Sequence, residues 1–97
     1  MNCEMFYIEL RACDPDKNIS RFYVINVGRD LLGDLIVTLR NGRIGHFGRL
    51  KYHVCKDLEE AAKIVRKSLK RRNSSPKRIG VAYEIKTISD PFNWLES

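Results

Sequence analysis

The sequence predicts a small α+β domain: a mainly antiparallel sheet of about five strands packed against one α-helix. Two observations carry this. Five segments alternate apolar and polar residues with period two, whereas one stretch, Asp57 to about Arg72, changes to helical spacing. The connections between the first four strand segments are also too short for the crossover that parallel pairing needs. At 97 residues the chain reads as one domain spanning 1–97. Its 43% hydrophobic and 31% charged content exclude wholesale disorder.

The first strand runs from Glu4 to Cys13, with Phe6, Ile8, Leu10 and Ala12 on one face and Tyr7, Glu9 and Arg11 on the other. Asp14 to Asn18 has turn composition. Arg21 to Val27, rich in aromatic and β-branched residues, reads as the second strand. Gly28 to Asp34 is the next connection, with Leu31 and Leu32 expected to tuck onto the core. Leu35 to Arg40 is the third strand; a glycine-rich turn follows, and Arg49 to Cys55 alternates as the fourth. In the helix, Leu58, Ala61, Ala62, Val65 and Leu69 form a narrow apolar stripe. Asp57 and Glu60 have capping-box spacing. Glu59 and Glu60 open the helix and Lys67, Lys70, Arg71 and Arg72 close it, as the helix dipole favours. Asn73 to Pro76 stops it, and Gly80 to Ile88 is the fifth strand. The tail Phe92-Asn93-Trp94-Leu95 is apolar and reads as packing back on the sheet, whereas a partner-binding module would use the Trp94 ring as an exposed anchor.

Charge is distributed unevenly. Residues 1–39 and 79–97 each carry a net −2, while residues 40–78 carry +10, giving the overall +6. All of the positive excess lies mid-chain, which favours a polyanion as partner: nucleic acid first, an anionic membrane second. The basic helix lacks aromatic anchors, which disfavours the membrane. Three cysteines without a close pair, together with an acidic start unlike a signal peptide, point to reduced thiols and a cytoplasmic protein.

The stretch Arg40 to Arg49 holds three glycines, three arginines and His46 in ten residues. Arg40, Arg43, Arg49 and Lys51 could meet phosphate through planar guanidinium forks, with turn N–H groups as added donors. Arg40 and Lys51 would stand together across the hairpin if its register allows. The three glycines lack the strand-to-helix context of a nucleotide loop, so positive-φ turn and bulge positions explain them. His46, His53 and Cys55 match no zinc spacing, and Cys55 reads as core filler. No acid–base pair or activated nucleophile stands out, so neither enzyme, cofactor nor metal is expected.

Arg21-Phe22-Tyr23, Asp30-Leu31-Leu32-Gly33-Asp34, Asn41-Gly42-Arg43-Ile44-Gly45 and Gly48 follow one another at intervals that resemble the WGR domain, over roughly residues 20–72. The resemblance implies a small antiparallel sheet with one helix, acting as a non-catalytic nucleic-acid-binding or interdomain-contact module. In poly(ADP-ribose) polymerases this domain engages the terminal nucleotides at a DNA break, with the motif Trp stacking there and the motif Arg beside it. Gly42 and Arg43 match the second and third motif residues, and Asn41 stands at the Trp. Asn cannot supply base–aromatic stacking, worth ~1–3 kcal/mol, but can hydrogen-bond a phosphate or base edge. Phe47 and Tyr52 are the nearest candidate rings.

The expected function is binding of DNA, ahead of RNA, by backbone neutralisation. The candidate hairpin contacts are Arg40, Asn41, Gly42, Arg43, His46, Arg49 and Lys51, with the Gly42-Arg43 turn innermost; Lys67, Lys70 and Arg71 are an outer guide, and Lys63, Arg66, Arg72, Lys77 and Arg78 extend the basic run. The alternative is a protein-interaction or homo-oligomerising module anchored by Trp94.

Overall fold

The computed structural model describes residues 3–74 and 80–96. Its elements are β1 (Cys3–Asp14), β2 (Ile19–Arg29), β3 (Leu35–Arg43), β4 (Arg49–Cys55), α1 (Leu58–Asn73) and β5 (Glu84–Ser89), with short 3-10 turns at Pro15–Lys17 and Trp94–Glu96. One five-stranded sheet has the order β4-β3-β2-β1-β5, antiparallel throughout. Strands β1 to β4 are a hairpin meander, as their short connections require. Only β5 breaks the sequence order, by crossing back to pair with β1.

Strand alternation divides the side chains between two faces. Phe6, Ile8, Leu10, Ile25, Val27, Leu35, Val37 and Leu39 point to one face and meet Ala61, Ala62 and Val65 of α1 in the core. The alanines allow the helix to approach closely. Asp57 is the N-cap, its carboxylate accepting the Glu60 N–H at 2.8 Å. Glu60 reaches back to the Lys56 N–H at 3.4 Å, one residue earlier than a capping box places it. Asp57→Ala should therefore cost about 1 kcal/mol and lower the melting temperature by several degrees, as read by thermal circular dichroism.

Four sequence expectations are corrected. Asn41, Gly42 and Arg43 belong to β3, paired with Tyr23, Phe22 and Arg21, and the turn begins only at Ile44. Trp94 is 7% exposed: its ring stacks on Phe6 with centroids 5.3 Å apart, and Asp90 caps its N–H at 3.0 Å. The apolar tail therefore packs back on the sheet as expected, and only the exposed anchor is overturned. Leu31 and Leu32 are 79% and 86% exposed instead of tucked in. The Asp30 carboxylate accepts the N–H groups of Leu32 and Asp34, both at 2.9 Å, so local hydrogen bonds shape this loop, not apolar burial. Strand β5 starts at Glu84, not Gly80, because pairing with β1 begins at Arg11↔Glu84. All of its side chains are exposed, as suits an edge strand.

Candidate functional site

Register decides which cations share a surface. In the β3–β4 hairpin Leu39 pairs with Lys51, Arg40 with Leu50, and Asn41 with Arg49. Asn41, Arg49 and Lys51 thus lie on the helix side of the sheet, and Arg40 lies on the other. The expected pairing of Arg40 with Lys51 fails for this reason: the two are one register position apart and so on opposite faces.

Arg40 instead fastens the turn. Its guanidinium lies over the rings of Phe22 and Phe47, 4.9 and 5.0 Å from their centroids, and donates to the Phe47 carbonyl at 3.2 Å. This arrangement holds Phe47 on the face away from Asn41. Tyr52, paired with Thr38, is on that face as well. Neither candidate ring therefore neighbours Asn41.

The turn depends on glycine in two ways. Gly45 and Gly48 have φ of +93° and +80°, the positive-φ positions expected. Gly42 does not; it is small because an added Cβ would come within 2.7 Å of the Gly48 Cα. The two chains of the hairpin touch there.

On the helix side, two open grooves meet. The larger, about 720 Å³, runs between the last turns of α1 and the start of β4, and includes Asn41, Arg49, Lys51, His53, Lys67, Ser68, Arg71 and Arg72 in its walls. The smaller, about 490 Å³, lies beyond the helix end and includes Arg21, Asn41, Gly42, Arg43, Arg72 and Tyr83. No Asp or Glu is among the described residues lining either groove. Tyr23, Asn41 and Arg72 belong to both, so they form the ridge between them. The Arg72 guanidinium covers the Tyr23 ring, 3.9 Å from its centroid. Its Nε is buried and finds no hydrogen-bond partner among the described residues.

The structure brings together seven of the ten sequence-derived site residues: Asn41, Arg49, Lys51, Lys67 and Arg71 in the larger groove, and Gly42 and Arg43, with Asn41 again, in the smaller. Arg43 also donates to the Asn18 side chain at 3.3 Å, which ties it to the β1–β2 connection. His46 is exposed at the hairpin tip, where its backbone N–H donates to the Arg43 carbonyl at 3.0 Å. Lys70 is exposed and lines neither groove. Of the remaining helix cations, Lys63 lies beside Glu59 and Glu60 at the opposite end, and Arg66 donates to the Trp94 carbonyl at 3.2 Å. Lys77 and Arg78 lie outside the described residues.

Tyr23, His53 and Ser68 line the larger groove without being singled out by the sequence, and Arg72, which the sequence places only in the general basic run, borders both grooves. The spacing of Lys67, Ser68, Arg71 and Arg72 does follow one helix face, and that was the available sign. Tyr23 could not be found from sequence, since its place opposite Asn41 depends on register.

Cys55 is buried. Burial pushes its thiol pKa up from the usual value, and the nearby Glu60 and Asp57 carboxylates push in the same direction. The raised pKa keeps Cys55 protonated to higher pH than an ordinary thiol. Iodoacetamide near pH 8 should therefore modify exposed Cys13 and spare Cys55 in the folded protein, with both modified in denaturant, as read by peptide mass.

The WGR domain family model matches residues 6–76. The chain belongs to the WGR domain family. The match begins in β1, earlier than the stretch carrying the sequence resemblance, and takes in the meander and α1, leaving β5 and the tail outside. No curated protein and no solved structure matches the chain. The WGR domain is associated with nucleic-acid binding in poly(ADP-ribose) polymerases. In this WGR domain the motif sits on a strand, with its first residue, Asn41, on the ridge between the two basic grooves. No helix among the described residues is long and apolar enough to cross a membrane.

Proposed function

We propose that this WGR domain is a non-catalytic nucleic-acid-binding module, taking DNA in preference to RNA. The observation that carries the reading is the pair of basic grooves on the helix side of the sheet, whose described lining contains no carboxylate. Arg49, Lys51, Lys67 and Arg71 come from two different elements and face one channel, an arrangement suited to a phosphate backbone. Asn41 offers an amide to a phosphate oxygen or a base edge beside them. The helix cations Lys67 and Arg71 share the larger groove with Arg49 and Lys51, and Arg43 lines the smaller one. Recognition in this reading is chiefly of backbone charge, because the groove walls supply arginine and lysine from two elements.

The test is fluorescence anisotropy with labelled blunt duplex, nicked duplex and single-stranded DNA over a salt series. The logarithm of affinity should fall linearly with the logarithm of salt, with a slope of about −0.9 per phosphate neutralised on duplex. Absence of binding at low salt would overturn the reading.

The exposed Leu31 and Leu32 support a second reading, a protein-contact module. That association would tolerate salt and would be lost in Leu31→Ser/Leu32→Ser, while DNA binding persisted.

A further inference from the structure

We infer that Arg72, layered on Tyr23, is a flat platform on which this domain stacks unpaired nucleobases. The inference rests on the groove being a nucleic-acid site and adds to it a base contact that charge alone does not provide.

Three observations converge on Arg72. Its guanidinium lies 3.9 Å from the Tyr23 ring centroid, close enough for face-on contact. Tyr23 is only 4% exposed, so the ring is spent as a backing and a ligand meets the guanidinium instead. Arg72 borders both grooves, which puts the outer side of that plane where a strand crossing from one groove to the other must pass.

The contact with Tyr23 fits this guanidinium for a base as well as for a phosphate. Arginine normally binds phosphate through in-plane N–H donors, often through two at once. Here the Nε edge is buried and makes no hydrogen bond among the described residues, so that edge is closed to a ligand oxygen. The terminal Nη groups keep their donors, and the guanidinium also has a π-like face, whose inner side is backed by the Tyr23 ring. A guanidinium plane stacks on a nucleobase much as an aromatic ring does, and single-stranded nucleic acid presents bases free to do so. Lys51, Lys67 and Arg71 in the same groove supply the phosphate contacts on either side. Asn41, opposite Tyr23 in the ladder, is placed to hydrogen-bond the edge of a base lying on Arg72.

The experiment compares two single strands of equal length and charge, oligo(dT) and the matching abasic oligomer, binding to wild type, Arg72→Lys and Arg72→Gln. Both have the same phosphates, so only the bases differ. Wild type should bind oligo(dT) roughly ten-fold or more tightly than the abasic strand. In Arg72→Lys, which keeps the charge and loses the plane, the two affinities should converge while abasic binding stays near that of wild type. Arg72→Gln should also lose the difference, with some loss of abasic binding from the missing charge. Equal affinities in wild type would overturn the platform and leave the phosphate groove standing. A difference that survives in Arg72→Lys would overturn it too, since the stacking surface would then lie elsewhere. Failure of both strands to bind at low salt would overturn the groove reading and the platform with it. Arg72 is at the helix end and outside the buried core, so unchanged circular dichroism is expected of both variants.

Discussion

Lys51→Glu combined with Arg71→Glu should reduce affinity for duplex DNA by roughly 100-fold or more at about 0.1 M salt. Each side chain faces the larger groove, one from β4 and one from α1. A charged hydrogen bond to phosphate contributes about 1.5–3 kcal/mol, so loss of two such contacts reaches this magnitude before any repulsion from the new carboxylates. The salt slope should also become shallower by about 2, since two counterion-releasing contacts disappear. Part of the change is structural: a glutamate in the last turn of α1 opposes the helix dipole by ~0.3–1 kcal/mol. That cost acts on stability and is measured separately by the thermal midpoint.

Arg40→Ala is the informative contrast. By composition Arg40 is as basic as Arg71 and lies closer to the motif, yet its guanidinium is engaged with Phe22 and Phe47 on the far face. Its removal should leave DNA affinity within about two-fold, because one distant charge contributes little through screening solvent. Stability should fall instead, by an amount on the order of 1 kcal/mol from the lost ring contacts and the lost hydrogen bond to the turn.

The second large effect is on folding. Gly48→Ala should destabilise the domain by about 3–4 kcal/mol. An added Cβ at Gly48 would stand 2.1 Å from the Asn41 carbonyl oxygen and 2.8 Å from its carbon, and backbone cannot swing aside as a side chain can. The residue also has φ +80°, which costs an L-residue ~1–2 kcal/mol, and relief of the clash costs a further 1–3 kcal/mol. At about 4–8 °C per kcal/mol, the melting temperature should drop by well over 10 °C. Gly45→Ala serves as the control. Gly45 has φ +93° but nothing within 4 Å of the added Cβ, so only the conformational term of ~1–2 kcal/mol applies. If the two variants melted together, the close approach of the hairpin strands would not be what fixes glycine at position 48.

The fold was legible because its pattern is local. Alternation in β1 to β4 and the helical stripe of α1 each state which side is buried, and the short connections leave antiparallel pairing as the only option. The site was legible in composition but not in arrangement. Sequence shows that Arg40 and Lys51 are both cationic; it does not show that Arg40 pairs with Leu50, which sends the two to opposite faces. Asn-Gly-Arg has turn composition, yet the strand extends through it because Asn41 to Arg43 find partners in Tyr23 to Arg21. Leu31 and Leu32 look like core residues until the Asp30 carboxylate is seen to organise their loop. The apolar tail suggests packing on the sheet, but which ring is buried depends on the contact of Trp94 with Phe6, far away in sequence. Register and long-range side-chain contact are tertiary facts, and local composition does not encode them.

Under the proposed function, nucleic acid lies on the helix side of the sheet, along the ridge of Asn41 and Arg72. The most direct test is amide chemical-shift mapping of the labelled domain titrated with a short DNA strand. The largest shifts should fall at Asn41, Lys51, Lys67, Arg71 and Arg72, with Arg40, Tyr52 and Val54 on the far side of the hairpin little affected. Shifts concentrated on the far face, or at the loop carrying Leu31 and Leu32, would contradict the account.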